Sequence, residues 1–65
     1  MQLKELLAKI NRNDPITITI YDDETGEVFF RSTWIETISD DYLDKDVQHV
    51  QILKYEMRLG ILWEK

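Results

Sequence analysis

The feature that most constrains the fold is a strict alternation of side chains over residues 16–21. Apolar and polar residues follow one another there without exception: Ile16, Thr17, Ile18, Thr19, Ile20 and Tyr21. Successive side chains of a β-strand point to opposite faces, and β-branched residues favour strands. The segment is therefore predicted to be a strand with one buried face.

The residues that follow predict a hairpin. Gly26 can adopt a positive φ at little cost, and a three-residue loop over 24–26 would make use of it. In that register Ile20 lies opposite Phe30. A loop of two or four residues would shift the pairing by one residue and turn Phe30 away from the isoleucines, because a one-residue slip exchanges the two faces.

This register assigns every hairpin residue to a face. The predicted core face consists of six residues: Ile16, Ile18, Ile20, Val28, Phe30 and Trp34. On the other face Tyr21 is predicted to pair with Phe29, with Ile35 further along. Because an exposed apolar patch on a small protein often marks an interface, Tyr21, Phe29 and Ile35 are candidate partner-binding residues. Cross-strand packing without any partner is the alternative interpretation.

A short amphipathic helix is predicted over residues 2–11, before the hairpin. Its apolar residues have the spacing i, i+3, i+4 and i+7: Leu3, Leu6, Leu7 and Ile10. Asn11, Asn13 and Pro15 favour its end. Since a helix of this length is marginal alone in water, its leucines are expected to pack on the isoleucine face of the hairpin.

One or two helical turns are predicted near residues 40–44. Ser39 is a good N-cap, and Asp40 and Asp41 suit the positive end of a helix dipole. Tyr42 and Leu43 would then pack against the sheet.

The last third of the chain permits two interpretations. The β-branched stretch 47–53 and the apolar stretch 59–63 can pair as antiparallel strands, joined by an even loop over 54–57. The faces then match, with five apolar residues together: Val50, Ile52, Leu59, Ile61 and Trp63. The alternative is a helix over 46–59, whose final residues have good helix propensity. Strands are favoured by the β-branching.

Together these elements predict a single α+β domain over residues 1–65. An N-terminal helix would pack on a small antiparallel sheet of three to four strands, with the short helical turn near 40–44. A chain of 65 residues buries little apolar surface and leaves a small margin of stability. It contains no cysteine, which excludes disulfides and thiolate metal sites.

The charge balance limits the possible partners. The formal net charge is −5, which opposes direct binding to nucleic acid or to an anionic membrane surface. No long apolar run or signal sequence is present, so a cytoplasmic location is expected.

Catalysis has little support in the sequence. His49 is the only histidine, and no motif places a nucleophile beside it. Aligning Gly26 with the glycine of a calcium-binding EF-hand loop would make Tyr21 the first ligand and Ser32 the last, which does not fit. The chain is therefore expected not to be an enzyme, with no catalytic, cofactor-binding or metal-binding residues.

Exposed acidic residues are the remaining candidates for function. Five of them follow the hairpin: Glu36, Asp40, Asp41, Asp44 and Asp46. They are candidates for binding a basic protein partner, through a contact that would weaken as salt is added. The alternative is a solvated surface that keeps a small protein in solution.

Three stretches also carry a resemblance: Asn-Arg-Asn-Asp-Pro at 11–15, Ile-Thr-Ile-Tyr-Asp-Asp-Glu-Thr-Gly-Glu-Val at 18–28, and Ser-Asp-Asp-Tyr-Leu-Asp-Lys-Asp-Val at 39–47. Together they resemble small acidic uncharacterised proteins of bacteriophages and other mobile elements of Gram-positive bacteria. The resemblance implies an accessory role in the host cytoplasm. The chain is thus expected to be a protein-interaction module that binds a host or phage protein, and the alternative is a self-associating, dimeric structural protein.

Overall fold

Two β-hairpins lie side by side and form one sheet in the computed structural model, which describes residues 1–10 and 16–63 apart from the side chain of Ile35. The strands are β1 (Thr17–Asp22), β2 (Val28–Ser32), β3 (Val47–Ile52) and β4 (Glu56–Ile61). Their order in the sheet is β2-β1-β4-β3. Both hairpins are antiparallel, whereas β1 and β4 are parallel at the centre.

The central parallel pair corrects the predicted antiparallel sheet, while the α+β class is confirmed. Ile18 aligns with Met57 and Ile20 with Leu59. The pairing begins with the amide of Thr17, which donates to the carbonyl of Tyr55 at 3.0 Å. Side chains alternate with a period of two in parallel and antiparallel strands alike, so the sequence pattern carries no information about strand direction.

The β1–β2 hairpin has the predicted register from Ile20 onward, but its loop differs from the predicted one. Ile20 lies opposite Phe30 as predicted, but Tyr21 lies opposite Val28, not Phe29. The loop has four residues, 23–26, because the amide of Asp22 donates to the carbonyl of Glu27 at 2.8 Å. Phe29 is the extra residue of a bulge in β2. The longer loop and the bulge offset each other, so the pairing from Ile20 onward is unchanged.

The bulge alters which β2 side chains are buried. Phe29 is half-buried and packs against the core, whereas Val28 is 51% exposed. Strand β2 ends at Ser32, so Trp34 lies beyond the strand and is 68% exposed. The Trp34 amide donates to the Ser32 hydroxyl at 3.0 Å in the turn that follows. The prediction that Val28 and Trp34 belong to the core was therefore wrong.

The N-terminal helix α1 (Leu3–Leu7) covers the isoleucine face, as predicted, but is shorter than 2–11. Beyond it the amide of Ile10 donates to the carbonyl of Leu7 at 3.2 Å in a tight turn. The predicted end at Asn11, Asn13 and Pro15 lies outside the described residues. The buried hydrophobic core consists of seven side chains: Leu3, Leu7, Ile18, Ile20, Ile38, Leu59 and Ile61.

The segment between the hairpins contains a 3₁₀ turn (Ile35–Thr37) and the short helix α2 (Asp40–Leu43). The Ser39 hydroxyl accepts a hydrogen bond from the Asp41 amide at 3.2 Å, which confirms the predicted N-cap. Tyr42 and Leu43 are half-buried and pack against the core as expected.

The last third of the chain forms two strands, so the helical alternative over 46–59 is excluded. Ile52 lies opposite Met57 and Val50 opposite Leu59. The amide of Leu53 donates to the carbonyl of Glu56 at 2.8 Å, which leaves a two-residue turn over 54–55. The loop is even, as predicted, but it is shorter than 54–57.

Ile20 and Val28, which the predicted hairpin register placed together in the core, are expected to respond differently to truncation. Ile20 is fully buried, so Ile20→Ala is expected to lower the free energy of unfolding by about 2–5 kcal/mol through lost burial and a cavity. Val28→Ala removes a side chain that is 51% exposed and should change it by less than about 0.5 kcal/mol. Urea unfolding of both variants measures the difference, and equal losses would contradict the bulged register.

Candidate functional site

Strand β3 lies at one edge of the sheet, and part of that edge is paired by the N-terminal residues. The amide of Leu3 donates to the carbonyl of Lys45, and the amide of Val47 donates to the carbonyl of Met1, each at 2.9 Å. Gln2 bridges Asp46 in the antiparallel sense. The start of β3 is therefore covered on its outer side.

The remainder of β3 has no further strand beside it among the described residues. We call residues 48–54 the open edge. Hydrogen bonds of an antiparallel pair come from alternate residues of each strand. Because Leu53 bonds to β4, Gln51 also points its backbone groups toward β4, whereas Val50 and Ile52 point theirs away from the sheet. Two amides and two carbonyls are thus left for another strand.

Apolar side chains accompany these backbone groups. Val50 is 45% exposed, Ile52 is 70% exposed and Leu53 is 43% exposed. Val50 and Ile52 share the inner face with Leu59, because they lie opposite Leu59 and Met57 in β4. The side chains at 47–53 include no charged group. The open edge therefore offers backbone hydrogen bonds and apolar surface together.

The other edge of the sheet has a different character. Strand β2 is interrupted by the bulge at Phe29 and carries Arg31, whose side chain is 69% exposed. Bulges and charged side chains on an edge strand discourage pairing with other chains. Strand β3 also has a register shift, between Val47 and His49, but this shift precedes Val50 and Ile52. The two edges therefore differ in their capacity to accept an added strand.

The sheet face opposite α1 holds polar groups that bind one another. The Thr19 hydroxyl donates to the Glu56 carboxylate at 2.5 Å, and the Arg31 guanidinium lies 3.9 Å from the same carboxylate. Thr19 is only 2% exposed. These contacts link β2, β1 and β4, and we interpret them as support for the sheet.

Tyr21, a predicted partner-binding residue, also lies on this face and is half-buried. A Cβ atom built on Gly60 would come within 3.0 Å of the Tyr21 ring, so the ring lies directly over that glycine. The Arg58 guanidinium carbon is 5.4 Å from the centre of the same ring. The Tyr21 side chain therefore packs against β4 of its own sheet.

Phe29, the predicted neighbour of Tyr21, belongs to an aromatic cluster elsewhere. Its ring centre is 5.3 Å from that of Tyr42, in a stacked arrangement, and 5.0 Å from that of Trp63. The Lys45 ammonium lies 5.4 Å from the Trp63 ring. This cluster joins β2, α2 and the end of β4, and the structure does not bring Tyr21 and Phe29 together as a pair.

The predicted acidic residues lie on and around α2 and are exposed: Glu36, Asp40, Asp41, Asp44 and Asp46. A cleft of about 290 Å³ between α1 and α2 brings Glu36 and Asp40 near Lys4. Asp46 directly precedes β3, two residues before the open edge begins. The remaining predicted residue, Ile35, lies in the 3₁₀ turn.

Within residues 1–10 and 16–63, no three histidine, aspartate or glutamate side chains come together in a way that could hold a metal ion. The same residues include no helix with the length and apolar character needed to cross a membrane.

Comparison of the chain with protein families, with curated proteins and with solved structures gives no match. The candidate site is therefore defined by the geometry of the open edge alone.

The sequence-based candidates did not include Val50 and Ile52 as binding residues. Their inner face was predicted correctly, but their exposure depends on β3 being an edge strand. One signal was present: 47–53 is a β-branched stretch free of charge, which an edge strand seldom is.

Hydrogen exchange at low protein concentration should reveal the open edge directly. The amides of Val50 and Ile52 are expected to exchange at least about tenfold faster than the amide of Gln51, which bonds to β4. Amide-resolved NMR exchange gives all three rates in one experiment. Equal protection of the three amides in dilute monomer would contradict this assignment of the backbone groups.

Proposed function

We propose that this protein is a small protein-interaction module that receives a strand of another polypeptide chain along its open edge. The observation that supports the proposal is the outward backbone of Val50 and Ile52 beside their own exposed side chains. In strand addition, main-chain hydrogen bonds provide affinity and alternate side chains provide specificity.

The exposed side chains and outward backbone groups of the open edge can supply enough free energy to bind another strand. Full burial of a valine or isoleucine side chain contributes about 1.5–3 kcal/mol, and Val50 and Ile52 still have 45% and 70% of their surface to bury. Outward backbone groups add hydrogen bonds worth about 1 kcal/mol each. An uncovered edge strand favours aggregation, and charged side chains on the strand usually prevent this. A partner strand that normally covers the open edge would explain why residues 47–53 carry no charge.

The acidic residues have a second part in the proposal. Asp40, Asp41, Asp44 and Asp46 are exposed on and around α2, and they form a surface separate from the open edge that would accelerate association with a basic protein. Since the resemblance to phage proteins implies a bacterial host, we place this interaction in the bacterial cytoplasm.

Photocrosslinking in bacterial cells tests the proposal even while the identity of the partner is open. A photoreactive phenylalanine derivative at Gln51, on the open edge, should give a discrete crosslinked product. The same group at Thr33, which is exposed beyond the end of β2, should give none.

A second substitution links the product to the edge itself. Adding Ile52→Lys should abolish the Gln51 crosslink, because association would then bury a charge among aliphatic side chains. Val28→Lys, at another exposed apolar residue, should leave the crosslink intact. The absence of a discrete product, or the same product from Gln51 and Thr33, would refute the proposed function.

A further inference from the structure

We infer that the occupant of the open edge is a second copy of this chain, paired through two antiparallel β3 strands about a two-fold axis at Gln51. The inference rests on the proposed function of the open edge and names its partner. Two four-stranded sheets would then join into one sheet of eight strands.

The backbone groups select this register. Antiparallel pairing about a two-fold axis at Gln51 places Val50 opposite Ile52 of the second copy, and Ile52 opposite its Val50. All of these residues point their amides and carbonyls outward, so the pairing forms four hydrogen bonds. With the axis at Val50, Ile52 would lie opposite Gln48, where the β3–β4 pairing shifts between Val47 and His49. With the axis at Ile52, Val50 would lie opposite Lys54, which is in the 54–55 turn. Either axis would leave one of the two outward residues of each copy without a well-placed partner.

The side chains agree with the same register. On the inner face, Val50 and Ile52 of each copy form a continuous aliphatic group of four, which covers surface that is 45% and 70% exposed in one chain. On the outer face, Gln51 meets Gln51 of the second copy, and His49 lies across from Leu53. No charged side chain faces another across the central five residue pairs.

The length of the open edge also agrees with a two-fold axis at Gln51. One end is limited by Met1, whose carbonyl accepts from the Val47 amide, and the other by the 54–55 turn. The interval 48–54 has its midpoint at Gln51. With the axis at another residue, the 54–55 turn of one copy would clash with the N-terminal residues paired to β3 in the other copy, or fewer residues of the two strands would pair.

Charge complementarity favours this antiparallel arrangement. Asp44 and Asp46 precede the start of β3, and Lys54 follows its end. The two-fold axis therefore places Lys54 of each copy opposite Gln48 of the other, two residues along the strand from Asp46. The acidic β1–β2 loops lie at opposite ends of the joined sheet, so two chains of net charge −5 approach with little local repulsion.

A single-cysteine scan tests both the dimer and its register, since the chain has no cysteine of its own. Gln51 faces its own copy in a non-hydrogen-bonded pair, where Cα atoms are about 4.5 Å apart and a disulfide fits. Gln51→Cys should therefore form a disulfide-linked dimer on mild oxidation. His49→Cys, on the same face of the same strand, would be about 14 Å from its counterpart along the strand and should form no disulfide-linked dimer.

A charge exchange at Gln51 gives an independent measurement. Gln51→Lys alone and Gln51→Glu alone should each raise the dimer dissociation constant about tenfold or more, because like charges face each other at the axis. An equimolar mixture should recover dimers by sedimentation equilibrium. Dimerisation of the unaltered chain should not weaken with added salt, because salt screens the repulsion between two chains of net charge −5 as well as the attraction of Lys54 for Asp46. A contact between an acidic surface and a basic partner would weaken.

The outcomes separate the two proposals. A concentration-dependent dimer, the Gln51→Cys crosslink and recovery in the charge mixture support the second copy. Strict monomers at all concentrations, or a dimer indifferent to both Gln51 charges, overturn it. If the Gln51 photocrosslink in cells then has the mass of a different protein, the interaction module stands and only its occupant changes.

Discussion

The parallel contact between β1 and β4 is the interaction on which the rest of the structure depends. It places Ile18 and Ile20 beside Met57 and Leu59, so the buried side chains of two separate hairpins form one layer under α1. An isolated two-stranded hairpin is marginally stable at best in water. The buried core accordingly draws on both hairpins and on α1, a helix of five residues that is too short to be stable alone.

Local patterns predicted most of the individual elements. The leucine spacing identified the face of α1, Ser39 identified the start of α2, and β-branching correctly favoured strands over a helix in the last third. These features depend on residues close together in the chain. The parallel direction of β1 and β4 could not be predicted, because a period of two does not distinguish strand directions and the pairing joins residues nearly forty positions apart.

The candidate site was less accessible to sequence reasoning. Val50 and Ile52 were correctly placed on the inner face, yet inner residues of an edge strand can remain exposed, and edge position follows from the order of the whole sheet. The predicted Tyr21–Phe29 pair failed because the bulge shifted Val28 into the position opposite Tyr21. Exposure of the acidic residues around α2 agrees with their hydrophilic character, but their role in binding remains a prediction.

The offset between the four-residue loop and the Phe29 bulge has a consequence for how the hairpin tip can change. A three-residue loop with Tyr21 opposite Phe29 and the observed loop with a bulge use the same number of residues and share every pair from Ile20 onward. The two arrangements differ in the length of the loop and in whether Phe29 pairs with Tyr21 or forms a bulge. Adopting the three-residue loop would place Phe29 opposite Tyr21, away from the core and from the rings of Tyr42 and Trp63. The aromatic cluster therefore favours the four-residue loop, although the alignment of β1 with β4 is compatible with both arrangements.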